Sequence, residues 1–430
     1  MNMKSMVRRN SLTLNAKGMA FRVTTPVVFV GCLLISLIAM ADSAWAHVKW
    51  FVVCNVSDDP LPAGVVFTKT FFLFGALFLA LFYFGCAIEQ TPFGAAFLRQ
   101  LNRLTEPLHR RTDELLRAVA AVSFALLWAD GGLILTPELK ADDPSLSVIQ
   151  LLIPLYLFGR ATLPAAGAGI LVLYGYGAVA YGLFHMLDYP IFIGLGVYFL
   201  LSVSQATELL AFRLDLLRWT VALSLLWPSM EKFVYPAWVA PIAIIDPELT
   251  LGFNVDTVMT AAGVVEFGLA FALFWTPLVR RLAALVLIML LTAATFDFGK
   301  VDGIGHLMII AVLLVVVADP GRQYPGCRPV LAPLVSSAAW LATVLFYTGG
   351  HALYYRSQSS ALLSLVSGAA LLGFIFFSVR RRVQTASRTT IRTRRSPYLD
   401  IPTVRTGGTR DEILRGAGGN LEITPLDLPV

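Results

Sequence analysis

The sequence predicts an all-α polytopic membrane protein with about eleven transmembrane helices. Of its 430 residues, 57% are hydrophobic and only 14% are charged, and the mean hydropathy is +0.73. A soluble globular domain contains fewer apolar residues and nearly twice as many charged ones. Apolar runs of membrane-spanning length also recur along the chain, which indicates that it crosses the bilayer repeatedly.

The charge pattern agrees with this class and excludes a nucleic-acid-binding protein. The formal net charge is +6, but the arginines are concentrated between alternate apolar runs and in the C-terminal tail. The positive-inside rule gives this distribution to cytoplasmic segments. The predicted partner is therefore the lipid bilayer, with the mature N-terminus periplasmic and the C-terminus cytoplasmic.

Residues 1–46 have the features of a secretory signal peptide. A basic leader precedes an apolar core, and the segment ends in the Ala-x-Ala pattern that signal peptidase accepts. A retained first membrane span is the alternative. Cleavage after Ala46 would make His47 the first residue of an extracytoplasmic segment, 47–65. Its free amine and imidazole could then chelate a metal ion, and imidazole suits copper and zinc; we favour copper.

Apolar runs and charge divide the rest of the chain into five parts. The parts are a first helix with a cytoplasmic amphipathic helix (66–114), a four-helix module (115–205), a second four-helix module (213–318), two peripheral helices (331–379) and a disordered basic cytoplasmic tail (380–430). The predicted spans are 66–88, 115–136, 146–159, 162–186, 190–205, 213–229, 257–276, 279–298, 303–318, 331–350 and 360–379. An outer loop that contains His351 separates the last two spans.

The two modules are related by an internal repeat. Trp128 and Trp227 each lie nine residues before a proline, Pro137 and Pro236. In both modules this segment is followed by a shorter helix, an inner arginine, an outgoing helix, an outer turn with acidic residues and histidine, and a returning helix. Repeats in membrane proteins often place a binding site between the halves.

Ionisable residues gather at the outer end of the second module. They are Glu231, Lys232, Asp297, Lys300, Asp302 and His306. Glu266 lies further into an apolar run, at a depth of about 15 Å. Ionisable groups at membrane depth are costly and mark functional sites by default. Glu266 is therefore a proton or quinone partner, or else a structural hydrogen-bond partner of a neighbouring helix.

Histidines at the outer end supply candidates for metal ligands. Asp188 lies three residues after His185, and at this spacing the carboxylate can orient the imidazole or join it as a ligand. The candidate metal ligands are His47, His185, Asp188, Asp297 and His306. The alternative is that these side chains only hydrogen-bond the ends of short helices.

The second module resembles the DoxX-like four-helix membrane proteins of bacteria. The resemblance rests on LLWPSMEKFVYP at 225–236, VVEFGLAFALFW at 264–275, RRLAAL at 280–285 and DGIGHLMIIAVLLVVVADPG at 302–321. The repeat extends it weakly to the first module. The HVKWF sequence that begins at His47 is also similar to the start of some bacterial membrane proteins with a DoxX-type region.

The resemblance implies a bacterial inner-membrane location and, for some relatives, association with quinone-linked sulfur or respiratory redox systems. Transferred residue by residue, it marks as ligand or proton-relay positions Glu231, Lys232, Glu266, Asp302 and His306. The first module lacks the Glu-Lys pair and has Gly131 and Gly132 nearby. A duplicated active site is therefore not expected.

Three functions remain open. The chain has no Walker A loop, dinucleotide fingerprint, Cys-x-x-Cys or haem-attachment motif, so no enzyme class is predicted. The first function is a redox-accessory protein, associated with a redox membrane complex, whose outer-face site binds quinone or a metal ion. The others are a small-solute or ion transporter that uses Glu266 and the repeat interface, and a non-catalytic scaffold subunit of a membrane complex.

Overall fold

The computed structural model describes residues 58–131, 133–141, 143–204, 207–245, 250, 252–321 and 329–356. The predicted signal peptide, His47, the predicted span 360–379 and the tail lie outside these residues. Within them the chain is helical and contains no β-strand, and an isolated β-bridge joins Leu133 to Lys140. The all-α class is confirmed.

Thirteen α-helices and two short 3-10 turns occupy the described residues. The helices are α1 (Ala63–Val66), α2 (Lys69–Glu89), α3 (Pro92–His109), α4 (Thr112–Ala129), α5 (Pro144–Phe158), α6 (Leu163–Ala180), α7 (Pro190–Leu200), α8 (Thr207–Val234), α9 (Pro236–Ile245), α10 (Val255–Ala272), α11 (Pro277–Phe298), α12 (Lys300–Ala318) and α13 (Leu331–Arg356). The 3-10 turns are His185–Asp188 and Leu201–Val203.

Every predicted span within the described residues is occupied by a helix. In the described ranges, five helices are long and apolar enough to cross a membrane: α2, α6, α10, α11 and α12. Helix α5 and the segment Pro190–Val203 are apolar but shorter. The chain thus carries several candidate membrane spans, fewer by these criteria than the sequence predicted.

Several helix ends differ from the prediction. Helix α4 ends at Ala129 instead of at residue 136, because Gly131 has a φ of 74°, a left-handed conformation that glycine adopts readily at helix ends. Helix α13 continues to Arg356. The assignment of His351 to an outer loop is therefore wrong, since this residue is helical and buried.

Helix α8 also continues past its predicted end at residue 229, although Pro228 lies inside it. A proline removes one helical hydrogen bond and clashes with the preceding turn. The neighbouring side chains of Trp227, Met230 and Val234 are buried, and their burial offsets this cost. As a result Glu231 and the residue after it are helical and point about 100° apart around the axis.

The helices of each predicted module pack in chain order, α4 to α7 in the first and α8, α10, α11 and α12 in the second. Two further contacts join the groups. The first helix of each group packs against the last helix of the other, α4 against α12 and α8 against α7. The arrangement has an arginine end, defined by Arg213, Arg218, Arg280 and Arg281, and a histidine end, defined by His185, Glu231, His306 and His351.

At the arginine end, Arg281 of α11 is completely buried. Its guanidinium group donates to the carbonyl oxygen of Val317 at 2.7 Å and to the hydroxyl of Thr105 at 2.7 Å, and it also bonds Asn102. These acceptors lie on α12 and α3. One side chain therefore joins three helices through neutral acceptors.

The neighbouring Arg280 is also buried and pairs with Asp319, just after α12, at 2.9 Å. The same carboxylate lies 3.8 Å from Arg218 of α8. A Cβ atom at Gly321 would lie 1.6 Å from the guanidinium of Arg280. The turn after α12 must therefore carry a glycine here for the arginine to reach its partner.

We expect Arg281→Ala to lower the stability of the protein, because the buried carbonyl oxygen of Val317 and the two α3 acceptors lose their donor. Each buried polar group left unsatisfied costs about 1–3 kcal/mol. Thermal unfolding in detergent measures the effect as a lower Tm. The control is Arg99→Ala on the exposed side of α3, for which we expect a change within about 0.5 kcal/mol. Equal Tm values for the two variants would contradict the structural role of Arg281.

Candidate functional site

Polar side chains form three groups at the histidine end. Glu231 belongs to the first group, Lys232 and Glu266 form the second, and Asp302 and His306 form the third. The first two groups begin at adjacent residues of α8. Because neighbouring helical residues diverge, the end of α8 supplies side chains to both.

The first group is centred on Glu231, which is only 5% exposed. Its carboxylate lies 3.5 Å from the hydroxyl of Tyr347 on α13. His351, one turn further along α13, is buried, and its ring lies 6.0 Å from the ring of Tyr235. A carboxylate, a phenol and an imidazole from distant parts of the sequence thus meet in the interior.

Aromatic rings surround this group. The ring of Tyr347 lies 4.5 Å from that of Trp227 and 5.2 Å from that of Phe184, and Phe184 also packs edge-on to His351. Rings that exclude water lower the local dielectric constant, which strengthens hydrogen bonds to a carboxylate. We define the Glu231 cluster as Phe184, Trp227, Glu231, Tyr235, Tyr347 and His351.

The carboxylate of Glu138 also reaches the histidine end, from the loop between α4 and α5. Glu138 Oε1 lies 3.0 Å from His185 Nε2, and the other carboxylate oxygen accepts a hydrogen bond from Tyr189. Leu135 in the same loop has a φ of 53°, a left-handed value that is strained for leucine. Spacing pointed to Asp188 as the carboxylate beside His185, whereas Glu138 occupies that position.

Asp188 is buried in the 3-10 turn that precedes α7. In the same turn, the backbone oxygen of Met186 accepts a hydrogen bond from the phenol of Tyr174, at 2.8 Å. The turn packs against α8, the helix that carries Glu231. The turn links the cluster on one side to the His185–Glu138 pair on the other.

The second group is an ion pair between α8 and α10. Lys232 Nζ lies 2.6 Å from Glu266 Oε2, with the lysine side chain 19% exposed and the glutamate 36% exposed. The sequence allowed this pairing only if the segment 229–256 folded back into the bundle. Instead α8 continues as a helix and carries the lysine to its partner. Pairing compensates the charge of each side chain, which would be costly to bury alone.

The third group lies on α12, where Asp302 and His306 are both buried. Their Oδ2 and Nδ1 atoms are 2.8 Å apart, and the Thr295 hydroxyl lies 3.4 Å from the same carboxylate oxygen. The other carboxylate oxygen has no hydrogen-bond partner among the described residues. Nearby, Lys300 pairs with Asp130, the residue just after α4, at 3.3 Å. This group orients an imidazole beside the contact between α12 and α4.

A metal centre is not assembled from the described residues, among which no three His, Cys, Asp or Glu side chains come close enough to hold an ion. His47 and the side chain of Asp297 lie outside the described part. The candidates His185, Asp188 and His306 contact protein groups instead. The predicted copper site therefore depends on His47 and stays a prediction.

Several residues of these groups were not predicted from the sequence as site residues, among them Glu138, Tyr235 and Tyr347. No motif marks Glu138, whose role depends on how its loop folds. The sequence does contain a signal for Tyr347, because Trp340 and His351 lie at helical spacing from it, seven residues before and four after. Such spacing indicates one buried helix face.

We expect a double-mutant cycle on Glu138→Gln and His185→Phe to show coupling of about 0.5–3 kcal/mol, as for contacting buried residues. Thermal unfolding of the single and double variants measures it. The control cycle uses Asp130→Asn and Lys300→Gln, a more exposed pair for which coupling of about 1 kcal/mol or less is expected. Additive effects at Glu138 and His185 would show that their contact does not stabilise the loop.

No protein-family model, curated protein or solved structure matches this chain. The DoxX-like resemblance therefore rests on the residues quoted for it, and a function must be inferred from the geometry of the histidine end.

Proposed function

We propose that this chain is a redox-accessory protein of the bacterial inner membrane that binds the head group of a quinone in the Glu231 cluster. The main support is the burial of Glu231 within 3.5 Å of the Tyr347 hydroxyl, beside the buried His351. Burying a carboxylate is costly unless hydrogen bonds or a bound partner compensate it. Such groups are concentrated at functional sites.

A quinone head matches the chemistry of this cluster. Its flat ring can pack against aromatic rings such as Trp227 and Phe184. Its carbonyl oxygens can accept hydrogen bonds from the Tyr347 hydroxyl, and the hydroxyl groups of a quinol can donate to Glu231. Reduction of a quinone takes up protons, which a carboxylate beside a phenol and an imidazole can supply. The electrons would come from a partner redox complex.

The same proposal includes the arrangement of the chain in the membrane. We place the histidine end at the periplasmic face and the arginine end at the cytoplasmic face, in line with the positive-inside rule. We also keep the eleven spans, the two tandem modules and the DoxX-like relationship. The reciprocal packing of α4 on α12 and α8 on α7 supports the modules, because a duplication related by a two-fold axis produces such exchanged contacts.

Quinone binding is testable by fluorescence, because quinones quench tryptophan and Trp227 lies 4.5 Å from Tyr347. We expect Glu231→Gln and Tyr347→Phe each to raise the quinone Kd by about tenfold, the consequence of losing one hydrogen bond in a buried site. The matched control is Glu266→Gln, which changes a carboxylate outside the cluster and should leave the Kd unchanged.

The outcomes distinguish the proposed site from its alternatives. If the wild-type protein shows no saturable quenching, the quinone proposal is wrong and the scaffold function becomes the one to test. If only Glu266→Gln changes binding, the quinone binds at the α8–α10 ion pair and not in the Glu231 cluster.

Copper remains the other proposed ligand, and it is tested independently. We expect the purified protein to begin at His47 and to bind copper in near-equimolar amount, and we expect His47→Ala to lose the metal, because the chelate needs the amine and the imidazole together. N-terminal sequencing and elemental analysis of one sample measure both properties. A chain that begins at Met1 would rule out this chelate.

A further inference from the structure

We infer that the groove between α2 and α13 holds the hydrocarbon tail of the quinone, so that the ligand is a polyprenyl quinone and not a water-soluble one. This assignment rests on the proposed function, because head and tail belong to the same molecule. It adds a second binding region, about two helical turns from the Glu231 cluster.

The groove encloses about 400 Å³, within the usual size range of small-molecule sites, about 300–1,000 Å³. Phe71, Phe72 and Ala76 of α2 form one wall, and Trp340 of α13 forms the opposite one. Gly75 lets the Trp340 ring approach α2 closely, because a Cβ atom there would lie 3.1 Å from that ring. The surface is apolar and rich in aromatic rings, which suits a flexible hydrocarbon chain.

One buried face of α13 connects the groove to the head-group site. Trp340, Val344, Tyr347 and His351 are all buried and follow one another at helical spacing. Seven residues separate Trp340 from Tyr347, which corresponds to about 10 Å along the helix. The aromatic wall of the groove and the phenol beside Glu231 are therefore two points on the same stripe.

Helix α8 makes the same connection on the other side. The Phe233 ring lies 5.3 Å from that of Phe71 and 6.5 Å from that of Trp340. Phe233 is only two residues after Glu231. Phe233, which lies behind the groove, thus belongs to the same helix turn as the carboxylate of Glu231.

An apolar groove close to the polar Glu231 cluster favours an amphiphilic ligand. The groove is lined mostly by apolar side chains, while the phenol of Tyr347 lies about 10 Å further along α13. Helix α2 is a candidate membrane span whose Leu73 and Leu77 are exposed, so the groove opens towards the hydrocarbon of the bilayer. A chain could leave by that route. An acyl chain of a bilayer lipid has the same tail chemistry and is the competing occupant.

The test compares two quinones with the same head, one with a single isoprene unit and one with a long polyprenyl chain. Kd values are measured by Trp227 quenching in detergent for the full-length protein and its variants. Ala76→Phe fills the groove from α2, and Ser337→Leu fills it from α13. Both positions are exposed, so folding should tolerate them. Ala80→Phe makes the same change one turn further along α2, outside the lining residues.

We expect each filling variant to lose about tenfold in affinity for the long-chain quinone, as the tail loses buried apolar contact, and to bind the short-chain quinone normally. Each quinone partitions into detergent equally in all samples. Comparing the ratio of the two Kd values between variants therefore removes the effect of partitioning. The Ala80→Phe protein should keep the wild-type ratio.

Two results would overturn the tail site while leaving the head site intact. Unchanged Kd values for both quinones in both filling variants would show that the quinone tail does not occupy the groove. Equal weakening of both quinones would show that the substitutions disturb the head site instead. If neither quinone binds the wild-type protein, the proposed function fails and the tail site fails with it.

Discussion

The histidine end depends on the continuation of α8 as a helix beyond Pro228. Burial of apolar side chains around the proline stabilises the last turns of the helix. Those turns then present Glu231 to the interior and Lys232 towards α10, since successive helical residues diverge by about 100°. If the helix ended at residue 229, as predicted, neither the aromatic cluster nor the ion pair would be fixed by a rigid element. One local balance between proline strain and burial thus positions two of the three polar groups.

The two ends of the molecule solve the problem of buried charge differently. At the arginine end, Arg281 uses neutral acceptors on two other helices, and Arg280 shares the carboxylate of Asp319 with Arg218. These contacts tie helices together. At the histidine end, carboxylates meet phenols and imidazoles, groups that can hydrogen-bond an oxygen-bearing ligand. The chemistry of the partners, more than the number of charges, distinguishes a structural end from a functional one.

The position of the Glu231 cluster follows from the way the helix groups meet. Helix α7 packs on α8, which brings the 3-10 turn before α7 and its Asp188 close to the end of α8. Helix α13 lies along α2 and adds Tyr347 and His351 from outside both modules. A proposed quinone would therefore contact the module boundary with its head and the added helices with its tail. This arrangement explains why neither module by itself contains a complete site.

The sequence alone determined the features that depend on composition and on local spacing. The helical class, the positions of nearly all the predicted helices and the separation of arginines from histidines follow from apolar runs and charge, and the Asp302–His306 contact follows from four-residue spacing on one helix. Only the tertiary structure decided that Glu138 lies against His185 and that Tyr347 and His351 lie near Glu231. These contacts join side chains separated by dozens of residues or more, and their formation depends on which helix faces pack together. The burial that extends α8 and α13 past their predicted ends is likewise a tertiary effect, because propensity at a helix end is weak and packing overrides it.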